Sequence, residues 1–169
     1  MRKPAGALMI VAAFFCAGMT LVKAKKEHLH TLRELCAALL SLHAELDARC
    51  SSLSDALGAL RPMSGVCGSF FACVREELPR LGELTFSEIW SSAAARTLSC
   101  LCADERAELA ALGHTLGAYS LQEQLTAIEL CRKKLERRSA AAEKELSDYS
   151  RTCLGVCSAL GILLAVVLI

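Results

Sequence analysis

The feature that most constrains this chain is one long helical pattern, from Ser120 to Ile169, that begins polar and ends apolar on every face. Ser120 can cap the first backbone N–H groups of a helix while Glu123 reaches back to it, and Gly117 suits the left-handed end of a preceding helix. Apolar residues then recur at alternating spacings of four and three, which puts them on one helix face. The pattern predicts a single helix that leaves a soluble bundle and continues into an apolar segment.

Both ends of the chain have the character of membrane spans. Residues 153–169 contain no charged residue and reach the lower limit of about 17 residues for a spanning helix. Residues 4–22 form a second uncharged stretch. A cleaved signal peptide is the alternative for this stretch, but its apolar run is long and lysines follow where small residues should precede a cleavage site. We expect transmembrane helices within residues 1–22 and 153–169, with a helical domain at residues 23–152 between them.

Basic residues beside the apolar stretches predict which side of the membrane the domain faces. Positive charge is retained on the cytosolic side of membrane proteins, so the domain is expected in the cytosol. Each basic side chain near an anionic leaflet can add about 1 kcal/mol of attraction. We expect a membrane-proximal basic face formed by Lys23, Lys25, Lys26 and Arg151.

The middle of the chain has the composition and the patterning of helices. Ala, Leu, Glu and Arg dominate, and β-branched runs are absent from it, so we expect no sheet. Leucines spaced three and four apart from Leu32 to Leu46 predict a helix over about residues 27–49. Start and stop signals predict four more helices. These cover about residues 52–60, capped by Ser51 or Ser52; 62–78, between Pro62 and Pro79; 85–101, with a capping box at Thr85 and Glu88; and 105–116, capped by Asp104.

Together with the last helix, these segments predict an all-α fold, an antiparallel six-helix bundle between an N-terminal and a C-terminal transmembrane helix. Trp90 is expected to point inward. The end of the bundle away from the membrane is left for a partner. Within the membrane, small residues four apart favour close helix packing, so Gly155 and Ala159 on the last span are expected to pack against Ala13 and Ala17 on the first, or against a partner's span.

The sequence carries no motif that points to catalysis. It contains no Gly-rich phosphate loop, Gly-x-Ser-x-Gly, His-Glu-x-x-His or Asp-rich calcium loop. Its ten cysteines lack the paired spacing of zinc ligands, and they suit small apolar fillers in a reducing compartment; in an oxidising space their even number would indicate disulfides. We expect no enzyme, metal site, cofactor or small-molecule substrate.

The charges are interspersed, with a formal net charge of +1, so nucleic acid is not an expected partner. One basic run extends from Arg132 to Arg138. We interpret it as a solvated helix face, with a site for an acidic partner as the alternative.

Several short motifs, in this order and at these distances, resemble the stage III sporulation protein AB family over nearly the whole chain. They are Leu32-Arg33, Leu39 and Leu42-x-x-Glu45-Leu46 in the first helix, Leu112-Gly113-x-x-Leu116-Gly117 before the last, Gln124 inside it, and Leu154-Gly155 opening the final span.

The resemblance implies a non-enzymatic scaffold of the channel that links mother cell and engulfed forespore and that endospore formation requires. It also implies a cytosolic domain similar to the helical-bundle domain of the type II secretion platform protein. The implied partners are a secretion-type ATPase, stage III sporulation protein AA, and other channel proteins, in the mother-cell membrane around the forespore. A membrane-anchored helical adaptor or sensor of another pathway is the alternative.

Overall fold

The computed structural model describes residues 3–49, 52–60 and 65–168. The description leaves out some side chains of the first and last helices. These are the side chains before residue 19, after residue 156, and at residues 21, 49, 150, 151, 153 and 154. The described chain has six α-helices and no strand, as the composition predicts. The helices are α1 (Lys3–Arg49), α2 (Leu53–Ala59), α3 (Gly65–Glu77), α4 (Phe86–Thr97), α5 (Ala103–Ala118) and α6 (Leu121–Leu168).

The chain divides into two compact units. The larger unit is His30–Ser139, and the smaller one combines the residues up to Leu29 with those from Ala140 onward. The larger unit holds α2 to α5 together with one part of α1 and one part of α6. These two parts run antiparallel. The Cys36 thiol contacts the Arg132 carbonyl oxygen. His43 and Asp47, which come later on α1, line one groove with Gln122 and Thr126, which come earlier on α6.

Two helices, α2 and α4, begin with the caps that the sequence predicts, and α6 begins with the Glu123 half of its predicted capping box. The Ser52 hydroxyl accepts the Asp55 N–H at 3.2 Å at the start of α2. At α4 the Thr85 hydroxyl accepts the Glu88 N–H, and the Glu88 carboxylate accepts the Thr85 N–H at 2.8 Å. At α6 the Glu123 carboxylate reaches back to the Ser120 N–H at 3.0 Å. Each of these bonds satisfies a backbone donor that has no partner inside the helix.

The predicted cap of α5 is wrong. The helix begins at Ala103, its N-cap is Cys102, and Asp104 lies in the first turn. The Glu105 carboxylate accepts the Cys102 N–H at 2.9 Å. In a capping box the acidic residue lies three positions after the N-cap, so Glu105 makes Cys102 the N-cap. The helix therefore starts at Ala103, two residues earlier than predicted. Asp104 still places negative charge at the positive end of the helix dipole.

The third predicted helix ends where expected. Its α-helical part stops at Glu77, and Pro79 lies in a single 3-10 turn, Leu78–Arg80, that follows. Proline interrupts an α-helix because it has no N–H to donate and disfavours the α conformation in the preceding residue. The predicted starting residue Pro62 and the alternative cap Ser51 lie outside the described residues.

The core of the larger unit includes the predicted leucine stripe of α1, from Leu32 to Leu46, together with buried residues of the other helices. Trp90 has no exposed surface, as expected. Burial of this apolar surface is the main stabilising term of such a bundle. The largest fully buried side chains are Trp90, Phe70, Leu32, Leu35, Leu39, Leu42, Leu46, Leu57, Ile89, Leu98, Leu109 and Leu116.

Among the described residues, no helix combines the length and the apolar character needed to cross a membrane. Of the stretches predicted as spans, residues 4–22 are helical within α1 and residues 153–168 within α6. Nearly all of their side chains lie outside the description. Both spans stay predictions from the sequence.

Candidate interaction surfaces

The family-like motif is the set Leu112, Gly113, Leu116, Gly117 and Gln124. Its two glycines lie on the face of α5 that packs against α4. A Cβ atom placed on Gly113 would be 2.3 Å from Cδ1 of Trp90, and one placed on Gly117 would be 2.9 Å from Cβ of Phe86. The glycines are four residues apart, and so are the two aromatic residues, so each pair lies on one helix face. The missing side chains therefore let α4 approach α5 closely.

This packing overturns the predicted role of Gly117. The residue is inside α5, which ends at Ala118, and positive φ angles occur among the described glycines only at Gly65 and Gly82. Gly117 is needed for contact with another helix and does not end its own. The motif's leucines, Leu112 and Leu116, are buried beside it.

Trp90 is fixed by a hydrogen bond as well as by packing. Its indole N–H donates to the Leu109 carbonyl at 2.8 Å, one helical turn before Gly113. Its ring makes edge-to-face contacts with Phe70 and Phe71, at centroid distances of 4.8 and 6.0 Å. A buried indole N–H usually has a hydrogen-bond partner, and this one fixes both the position and the rotation of α4 on α5.

Gln124, the remaining residue of the motif, ties α5 to α6. Its side-chain amide donates to the Tyr119 carbonyl at 2.8 Å, and its backbone N–H donates to the Ser120 carbonyl. The bond satisfies a carbonyl in the sharp turn between the helices. The family-like motif is thus a set of structural residues, a role that the sequence pattern alone did not assign.

The basic run on α6 is neutralised largely from within the chain. Arg132 contacts Glu129 at 2.9 Å and also pairs with Glu136, while Lys133 lies 3.2 Å from Glu129. Hydrogen bonds from Arg132 and Lys133 lower the pKa of Glu129 to about 2. Opposite charges this close favour the ionised carboxylate.

Two further basic residues of the run join α6 to α5. Lys134 contacts Glu108 at 2.6 Å, and Arg138 lies 3.8 Å from Asp104. With this many acidic neighbours, the run favours the interpretation as a solvated helix surface over a site for an acidic partner.

The residues of the predicted membrane-proximal face do not share one environment. Lys25 contacts Glu145 at 2.6 Å and lies 4.9 Å from the centre of the Tyr149 ring, so it links α1 to α6 in the smaller unit. The side chains of Lys23 and Lys26 are exposed. The Arg151 side chain lies outside the described residues.

The predicted packing of the two spans stays a prediction. A Cβ atom placed on Gly155 would meet no described heavy atom within 4 Å. The side chains of Ala159, Ala13 and Ala17 lie outside the described residues.

The six described cysteines, Cys36, Cys67, Cys73, Cys100, Cys102 and Cys131, are free thiols. Burial raises the pKa of Cys67 and Cys131 to about 12 and that of Cys36 to about 11. These three remain protonated at neutral pH and are weak nucleophiles. Within the described ranges, no group of three or more His, Cys, Asp or Glu side chains is arranged to hold a metal ion.

An open groove of about 410 Å³ runs between α1 and α6 in the larger unit. The sequence did not predict it, although Leu130 falls off the apolar stripe of α6 and could have signalled an exposed apolar site. The lining residues are His43 and Asp47 from α1, and Gln122, Leu125, Thr126, Glu129, Leu130 and Lys133 from α6.

Comparisons with known proteins give two matches. The sequence family described as stage III sporulation protein AB matches residues 3–169. A solved structure of a stage III sporulation protein AB has 25% sequence identity and a TM-score of 0.60, covering 72% of this chain and 97% of that one. A search of curated protein sequences finds no significant match.

Proposed function

We propose that this chain, which belongs to the stage III sporulation protein AB family, is a non-enzymatic scaffold of the channel between mother cell and forespore. The observation that carries the proposal is the extent of the family match, which covers residues 3–169 and so includes the two apolar ends as well as the bundle. The all-helical fold that the chain shares with a solved family member supports it.

The continuity of the two longest helices supports an anchoring role for the ends. α1 and α6 each extend without a break from an apolar end segment into the larger unit. An α-helix is hydrogen-bonded at every turn, so each end segment would be joined to the bundle by helical backbone and not by a flexible linker. We place residues 4–22 and 153–169 in the mother-cell membrane, with the bundle in the cytosol.

The proposed partner is a secretion-type ATPase, together with other channel proteins. This assignment rests on the resemblance of the family's domain to a secretion platform protein. A scaffold for such a partner requires a rigid surface, and the interlocked α4 and α5 supply rigidity through Trp90, Gly113 and Gly117.

Spore formation tests the proposal. The gene is deleted in its endospore-forming host and replaced by the parent, by Gly155→Leu or by the control Leu163→Phe, at equal membrane levels. Deletion should abolish heat-resistant spores, and the parent should restore them. Gly155→Leu should lower the yield, because a large side chain prevents close helix packing in a membrane.

Normal spore yield in the deletion strain would contradict the proposal. If the deletion strain fails but both substituted chains behave like the parent, the last helix is an anchor only. The scaffold function then resides in the bundle.

A further inference from the structure

We propose that Cys100 and Cys102, in the loop between α4 and α5, form a redox-active thiol pair that closes to a disulfide on reaction with a low-molecular-weight disulfide. The inference does not depend on the channel role proposed above. It is carried by the exposure of one thiol and by the positions of both sulfur atoms against neighbouring helices. Disulfides that form in a reducing compartment are usually transient and redox-sensing.

The two thiols of the pair differ in accessibility. Cys102 alone is exposed among the six described cysteines, whereas Cys100 is half-buried. A reagent from water therefore reaches Cys102 first. The buried thiols of Cys36, Cys67 and Cys131 do not compete for it, because burial raises the pKa of each and keeps it protonated.

The chain bends between the two residues. The Leu101 N–H donates to the Leu98 carbonyl at 3.2 Å, and Cys102 follows in an extended conformation as the N-cap of α5. Consecutive Cα atoms are about 3.8 Å apart, so Cα atoms two positions apart are separated by at most roughly 7 Å. The bend at Leu101 keeps the separation below this limit. It is comparable with the distance of about 4.4–6.8 Å that a disulfide spans between Cα atoms.

Both sulfur atoms lie against the pair of helices formed by α1 and α6. The Cys100 thiol is 3.6 Å from the Thr31 hydroxyl oxygen on α1. The Cys102 sulfur accepts from an Arg138 side-chain nitrogen on α6 at 3.8 Å. These are long contacts, and bonds to sulfur are weak, so little is lost when a sulfur atom leaves its neighbour.

The two contacts are at one level of the helix pair. The level is set by the Cys36 thiol, which is 3.9 Å from the Arg132 carbonyl oxygen. Thr31 precedes Cys36 by five residues, and Arg138 follows Arg132 by six. Because the helices are antiparallel, both residues lie about 8–9 Å from that contact in the same direction. The two thiols therefore face the same part of the α1 and α6 surface.

The chemistry consists of two thiol–disulfide exchanges. In the first, the Cys102 sulfur attacks one sulfur of a small disulfide such as cystine, whose S–S bond breaks, and the released thiolate takes up the proton that Cys102 loses. In the second, Cys100 attacks the Cys102 sulfur and releases the other half of the reagent, which takes up the Cys100 proton. Two protein thiols are oxidised, and one disulfide is reduced to two free thiols. The second step is favoured because it is intramolecular.

Closing the bridge changes how the loop is attached. It draws the sulfur atoms to about 2.05 Å from each other, so they leave the Thr31 hydroxyl and the Arg138 guanidinium. Cys102 is also the N-cap of α5, and Arg138 lies 3.8 Å from Asp104 in the first turn of that helix. The oxidation state therefore acts on the contacts that hold the start of α5 against α1 and α6. Exposed bridges of this kind are the labile, regulatory ones.

Mass spectrometry of the full-length chain tests the pair. The reduced chain, in a mild non-ionic detergent, is incubated with cystine, and the remaining thiols are then blocked with N-ethylmaleimide in a denaturant. Trypsin cleaves after Arg96 and Arg106, so both cysteines lie in one peptide that contains no other cysteine. We expect this peptide to lose two hydrogen atoms and to carry no label. Reduction with dithiothreitol before blocking should restore both labels.

Single serine variants separate the two steps. With Cys100→Ser, the reaction should stop at a mixed disulfide between Cys102 and one half of cystine. With Cys102→Ser, the bridge should be lost, and half-buried Cys100 should keep its thiol for labelling. Cys73→Ser removes another half-buried thiol, on α3, and should leave the bridge unchanged. Circular dichroism checks that each variant is folded.

Three results would overturn the inference. The first is a peptide that keeps both labels after cystine treatment of the folded parent chain. The second is a parent peptide in which cystine halves accumulate on the cysteines without a bridge. The third is a disulfide that joins Cys102 to a cysteine outside this peptide.

Discussion

Replacing Gly113 by alanine should destabilise the bundle even though alanine is the better helix former. The new Cβ would lie 2.3 Å from Cδ1 and 2.6 Å from Cγ of Trp90, where 3.4 Å or more is an ordinary contact. The rigid indole ring, or the whole of α4, must therefore move by about 1 Å. Overpacking of this kind costs about 1–3 kcal/mol.

The same movement removes a hydrogen bond. The Trp90 N–H is 2.8 Å from the Leu109 carbonyl oxygen, and a shift of 1 Å takes it beyond bonding distance. A buried donor left without its acceptor costs about 1–3 kcal/mol. Alanine in place of glycine stabilises the helix by about 1 kcal/mol, because alanine has the higher helix propensity. The net loss is about 3 kcal/mol, which lowers the melting temperature by roughly 10 °C in a domain of this size.

The assay is thermal unfolding of the fragment Glu27–Ser150, followed by circular dichroism and by fluorescence of the chain's one tryptophan. Gly58→Ala is the matched control, because Gly58 is exposed in α2 and a Cβ there meets no described atom within 4 Å. It should raise stability by up to about 1 kcal/mol. Equal stability of Gly113→Ala and Gly58→Ala would refute the reasoning that Trp90 requires a glycine opposite it.

Three further predictions follow from single residues. Leu39→Asp should unfold the fragment, because a charge at a fully buried position is uncompensated, whereas Leu40→Asp at the exposed neighbour should leave it helical by circular dichroism. The Glu129 carboxylate should keep its ion pairs as the pH falls and lose them only near pH 2, and Arg132→Ala should raise its pKa toward 4.5 in an NMR titration; an unchanged value would contradict the pairing. A cysteine added to the bundle of a chain without native cysteines should resist a membrane-impermeant thiol reagent in intact cells, and labelling without lysis would reverse the proposed orientation.

The helix order could be predicted because its signals are local. The box of Thr85 and Glu88 requires only a spacing of three residues, and the stripe from Leu32 to Leu46 requires only a helical period. The predicted start of α5 is wrong for a similar reason. Asp104 is a strong N-cap by type, but Glu105 selects Cys102 through its own bond to the Cys102 backbone.

The roles of the motif residues could not be predicted, because they depend on contacts between helices. A glycine near a helix end favours a left-handed terminus in the absence of other information, and only the position of Phe86 shows that Gly117 is a packing residue. The groove is missed for the same reason, since it depends on how α1 lies beside α6. Basic residues could be identified by type, but the partners of Arg132 and Lys25 required the folded chain.

The function proposed for this chain is that of a membrane scaffold that holds a secretion-type ATPase at the sporulation channel. It is tested most directly by purifying the tagged full-length chain from detergent-solubilised membranes of sporulating host cells and measuring the ATPase that accompanies it. We expect the ATPase to be recovered with the parent chain and lost with Leu39→Asp, whose bundle should unfold. Absence of the ATPase from the parent preparation, with the chain intact and present in the membrane fraction, would contradict it.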